Sequence, residues 1–90
     1  MTHPLHSPSY LVLAKLLTEQ RKKLGLLQAD VAALLNKPQS FVSKYEAGGR
    51  RLDLIELIDV LRALNTDPHV FLDQLIARLD AHQAPMDFLR

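Results

Sequence analysis

Four polar side chains, Gln39, Ser40, Ser43 and Lys44, are spaced so that a helix would bring them to one face. The other side of that stretch, QSFVSKYE, offers only Val42 and Tyr45 for burial, with Glu46 beside them. A helix that buries so little and presents amide, hydroxyl and ammonium groups is suited to recognition by hydrogen bonding. The major groove of B-DNA admits one α-helix. There a Gln amide can pair bidentately with adenine, a Lys can reach guanine O6 and N7, and Ser can serve bases or phosphates. Gln39, Ser40, Ser43 and Lys44 are therefore either ordinary solvated positions of a short helix or candidate base-reading residues. Phe41 is unexpectedly apolar for such a helix and is left either to touch a thymine methyl or to pad the turn. Arg50 and Arg51 follow the Gly48-Gly49 turn directly after this helix, which makes them candidate contacts to the flanking phosphates.

Two short helices joined by a tight turn would hold this face. In the first, Val31, Ala32, Leu34 and Leu35 form an apolar stripe at helical spacing. Asn36 then stops it, since Asn adopts the left-handed C-terminal conformation more readily than any residue but Gly. Lys37-Pro38 re-aims the chain, and Pro38 is tolerated where a new helix starts. The whole stretch, QADVAALLNKPQSFVSKYE from Gln28 to Glu46, resembles the helix-turn-helix of the phage-repressor/Cro-like (XRE) family. Gln28 matches the first position of the family motif, Ala32 the small residue where the helices cross, and Val42 the β-branched residue of the second helix. Asn36 stands in for the usual turn Gly, Leu27 replaces the capping Ser or Thr, and Lys37 replaces an apolar turn residue. The missing cap costs about 1 kcal/mol of helix stability. The likeness runs from about Leu13 to Leu75.

The resemblance implies a double-stranded-DNA-binding transcription regulator, a repressor working as a homodimer on a pseudo-palindromic operator. It also implies that Gln28 contacts a phosphate at the N-terminus of its helix, and that Arg21 and Glu46 form a structural salt bridge fixing the angle of the reading helix.

Composition fits this reading and excludes others. Ninety residues make one small domain, and 48% hydrophobic content with five aromatics gives a core built of aliphatics. Net charge is +1, but it is unevenly distributed. Residues 15–51 hold eight Lys/Arg against three Asp/Glu, whereas residues 52–90 hold three Arg against seven Asp/Glu. A polyanion would be drawn to the first part only. There is no Cys, and His3, His6, His69 and His82 are scattered, so neither a metal nor another cofactor is expected. No nucleophile has a base at a recognisable spacing, and no glycine loop cradles phosphate, so an enzyme is not expected. No apolar run approaches membrane-spanning length and no leader pattern opens the chain, so a cytoplasmic location without membrane association is expected.

Along the chain, residues 1–6 read as a flexible arm, residues 7–80 as the helix-turn-helix domain, and residues 81–90 as a C-terminal tail and candidate dimerisation element. Ser7-Pro8 starts a helix that Gly25 ends, with Leu13, Leu17, Gln20, Arg21 and Leu24 on one face. Leu11, Val12 and Leu16 fall off that face, as extra core or as a contact surface. Asp53 and Glu56 open a fourth helix, apolar nearly all round, that Asn65 closes; Thr66-Asp67-Pro68 opens a fifth. The fold class is all-α, a five-helix repressor-like domain. The acidic half carries more apolar positions than one core stripe needs, so Leu57, Val60, Val70, Ile76, Leu79, Met86, Phe88 and Leu89 are expected at a twofold interface. An alternative stays open, in which an antitoxin-like module binds a toxin or other protein and DNA binding is autoregulatory.

Overall fold

Ser7 caps the first helix by accepting a hydrogen bond from the Tyr10 N–H at 3.2 Å, with Pro8 behind it at the first helical position. The computed structural model describes residues 7–82, and within them lie five helices and no strand. They are α1 (Pro8–Lys23), α2 (Gln28–Leu35), α3 (Gln39–Glu46), α4 (Leu54–Ala63) and α5 (Pro68–His82). The expected arm and the tail beyond His82, including Met86, Phe88 and Leu89, lie outside the described residues.

Most helix ends are set by residues within one turn. Leu27 has no side-chain oxygen with which to cap α2, but the Asp30 carboxylate accepts from the Leu27 N–H at 2.7 Å, half of a capping box. Asn36, at φ 57°, closes α2 in the left-handed region. Asp53 and Glu56 complete a full box at α4, with reciprocal bonds of 2.7 and 3.0 Å. Asn65 turns the chain at φ 50° after α4, and Asp67 accepts from the His69 N–H to start α5. Gly48, at φ 82°, follows α3 in the left-handed region, so its conformation asks for glycine; a Cβ there would also press on the Leu11 Cδ2, the movable end of an exposed side chain.

α1 packs on α3 and α5, α2 packs on α3 and α4, and α4 lies against α5. The core between them gathers Leu16, Leu17, Val31, Ala32, Val42, Tyr45, Leu57, Val60, Leu61, Leu64 and Phe71. Val12 and Leu16 are thereby core residues, while Leu11 remains partly exposed and Leu24, in the cap after α1, is exposed. α4 is not apolar all round in its environment: Leu57, Val60, Leu61 and Leu64 face inward, and Leu54 and Ile55 face solvent. Leu57 and Val60 are therefore corrected from interface to core, at 8% and 0% exposure, because α4 turns that stripe towards α2 and α5. Val70 and Ile76 are exposed on α5, and Leu79 is half-buried.

Candidate nucleic-acid interface

An eight-residue helix is too short to hold itself together in water, so the orientation of α3 must come from what pins it. Val42 and Tyr45 are fully buried and anchor one side, and Gln39, Ser40, Ser43 and Lys44 are all exposed on the other. Burial pushes the Tyr45 hydroxyl well above the ordinary tyrosine pKa, so the ring enters the core uncharged. Phe41 is half-buried, edge-on to Tyr45 with centroids 5.6 Å apart, so it pads the helix against its neighbours.

The C-terminal end of α3 is pinned by charge. Arg21 and Glu46 meet bidentately, Nε to Oε2 at 2.7 Å and Nη2 to Oε1 at 3.0 Å, with side chains 10% and 6% exposed. Arg21 Nη1 donates to the Leu26 carbonyl at 2.8 Å, so the guanidinium also fastens the loop between α1 and α2. Glu46 Oε1 accepts a further bond from Gln28 Nε2 at 3.0 Å, and Gln28 Oε1 faces Gln39 Nε2 at 3.4 Å. A chain of polar contacts thus runs from a buried ion pair to the first residue of the polar face. Gln28, expected at a phosphate, is engaged within the fold by both ends of its amide.

Arg50 is placed differently from its expected outward reach. Its guanidinium pairs bidentately with Glu56 at 3.1 and 2.8 Å and stacks 4.8 Å from the Phe41 ring centroid, while Nη1 also reaches the Arg51 carbonyl. The Arg50 hydrogen bonds hold the Glu56 carboxyl below the ordinary glutamate pKa. Arg50 therefore braces α3 against α4, and a contact with phosphate would draw its 40% exposed guanidinium away from Glu56. Lys37 lies 5.3 Å from the same Phe41 ring. Arg51 lies on an exposed stretch, its Cζ 5.3 Å from the Tyr10 ring and its Nη2 bonded to Ser7 Oγ at 3.0 Å.

Sequence reasoning missed Tyr10. Its hydroxyl donates to the Arg50 carbonyl at 2.8 Å and accepts from the Leu52 N–H at 3.2 Å, a long-range contact that no local spacing announces. Among the described residues, no group of His, Cys, Asp or Glu could hold a metal ion, and no helix is long and apolar enough to cross a membrane.

A family model described as helix-turn-helix matches residues 17–71. The solved structure of an XRE-family-like protein from Pseudomonas syringae pv. tomato str. DC3000 is 46% identical, covering 81% of this chain and 89% of that one, with a TM-score of 0.75. A point variant of the restriction-modification controller protein C.Esp1396I is 25% identical over 86% of this chain and 98% of its own, with a TM-score of 0.78. The same controller protein, as a tetramer in complex with its natural 35 base-pair operator, shares the fold at 23% identity and a TM-score of 0.76, over 82% of this chain and 97% of that one. No curated protein matches.

Proposed function

This chain belongs to the XRE-type helix-turn-helix family, and from that premise we propose that it is a sequence-specific DNA-binding transcription regulator, a repressor acting as a homodimer on a pseudo-palindromic operator. The observation that carries the reading is the exposed face of α3, with Gln39, Ser40, Ser43 and Lys44 free of any core duty and the helix behind them pinned by the Arg21–Glu46 pair.

In this reading α3 enters the major groove. Gln39 and Lys44 read base edges through an amide and an ammonium, and Ser40 and Ser43 add hydroxyl contacts. Arg51 contacts the flanking backbone, and Gln28 meets a phosphate by exchanging one of its internal amide bonds. The controller protein C.Esp1396I offers a parallel, being described as an operator-bound tetramer. A single domain with so few contacts discriminates weakly; two copies on a twofold site square the discrimination. Exposed Val70, Leu72 and Ile76 on α5 supply an apolar surface for the second copy, on the acidic side away from the phosphates.

Selection of bound fragments from a random duplex pool tests this. The expected outcome is one consensus with twofold symmetry and half-sites about one DNA turn (~34 Å) apart. Recovery of unrelated sequences, or retention on heparin that ignores salt, would reject the reading.

A further inference from the structure

The loop between α3 and α4 carries Arg51, yet it is held from the first turn of α1. Tyr10 is buried, at 7% exposure, and its hydroxyl makes both bonds available to it with the backbone on either side of Arg51: the Arg50 carbonyl and the Leu52 N–H. The same ring lies under the Arg51 guanidinium, 5.3 Å from Cζ and within cation–π range. Ser7 Oγ accepts from the Tyr10 N–H and also from Arg51 Nη2, at 3.2 and 3.0 Å. Backbone and side chain of Arg51 are thus both referenced to one helical turn.

We propose that Tyr10 is a positioning residue for DNA binding, which fixes the 50–52 backbone and, with Ser7, sets the direction of the Arg51 guanidinium before DNA arrives. An arginine ordered in advance loses less conformational entropy when it meets a phosphate, so the arrangement raises affinity without adding a contact. A tyrosine with a purely structural role would serve the core equally well whatever stood at position 51. The inference rests on Arg51 being a backbone contact, and its test separates the two ideas.

Wild type, Tyr10→Phe, Arg51→Ala and the double variant are titrated with a duplex recovered by selection, across a salt series, with urea unfolding in parallel. Arg51→Ala should lower the slope of log affinity against log salt by about one unit. Tyr10→Phe keeps the ring and removes the hydroxyl. It should weaken binding roughly three- to tenfold, the equivalent of one or two neutral hydrogen bonds, and should cost nothing further in the Arg51→Ala background. A lowered Arg51→Ala slope with the same Tyr10→Phe loss in both backgrounds rejects the positioning role alone. An unchanged Arg51→Ala slope rejects the phosphate contact, and the positioning role with it. If Tyr10→Phe does not fold, Ser7→Gly takes its place: it removes the oxygen that accepts from both the Tyr10 N–H and Arg51 Nη2, Gly is nearly as good an N-cap, and the unfolding curve measures what the lost cap costs. A binding loss that persists in the Arg51→Ala background then rejects positioning of Arg51 by this turn.

Discussion

Arg21 and Glu46 bury opposite charges at 10% and 6% side-chain exposure, so removing either one leaves the other poorly solvated. Arg21→Ala strands the Glu46 carboxylate with the Gln28 amide as its remaining side-chain donor and takes the donor from the Leu26 carbonyl. Glu46→Ala strands a guanidinium with only the Leu26 carbonyl among its present partners. Breaking such a pair from one side costs about 3–5 kcal/mol, a large part of the ~5–15 kcal/mol that holds a domain together. In a domain of this size each kcal/mol lowers Tm by roughly 4–8 °C. The double variant removes both charges and so has no unpaired one to desolvate. It should be less destabilised than the two singles combined, by an interaction energy towards the upper end of the ~0.5–3 kcal/mol found for contacting residues. Urea unfolding at one fixed protein concentration measures this, since a self-associating chain gains stability with concentration. Operator affinity should fall with stability in both singles, because the pair sets the angle of α3. Strict additivity in the unfolding data would refute the argument.

Gln39→Ala and Lys44→Ala should each cost about 1–3 kcal/mol of operator binding and relax preference at particular base positions; a uniform loss over all sequences would remove them from base reading. Arg50→Ala should lower stability only slightly, since its pair with Glu56 is partly exposed and screened by solvent, and leave the salt slope unchanged. A slope lowered by one unit would restore Arg50 as a phosphate contact. Acid should loosen the α3–α4 brace: the Glu56 pKa is depressed on folding, chiefly by the Arg50 hydrogen bonds, so its stabilisation is complete above the ordinary value of 4.5 and is lost as pH falls through the depressed one. Glu56→Gln should flatten that part of the stability–pH curve, and parallel curves would disprove the brace. Ile76→Glu should convert the proposed dimer to monomer in sedimentation, and a dimer unaffected by it would take α5 out of the interface.

The helix boundaries were legible because their causes are local. Ser7 with Pro8, Asn36, Asp53 with Glu56, and Asn65 each act within one turn, so sequence neighbours report them directly. The sparse buried stripe of α3 was legible for the same reason, with Val42 and Tyr45 the only candidates. α4 was not. Six of its ten residues are Leu, Ile or Val in LIELIDVLRA, and a pattern with more than one stripe cannot say which faces α2 and α5. Leu57 was consequently placed outside and Leu54 and Ile55 were not. The internal pairing of Arg50 was not legible either, because charge and a glycine turn suggest solvent, whereas its partners Phe41 and Glu56 come from two different helices. Tyr10 left no trace at all, since its partners lie about forty residues away.

The way α3 is held leaves its polar face outside the restraints on the helix. The helix buries only Val42 and Tyr45, and no cap side chain closes its N-terminus, since Pro38 occupies that position. Its direction is imposed from outside: by Arg21 through Glu46 at the C-terminal end, by Gln28 at Gln39, and by Arg50 from the following loop against Phe41. None of these restraints uses Ser40, Ser43 or Lys44, and Gln39 contributes only one long contact of 3.4 Å. Substituting the polar face therefore changes what α3 can bond to while its direction stays fixed. A cluster that supplied both the direction of the helix and its polar face could not do this, because each substitution would then also change how the helix is held.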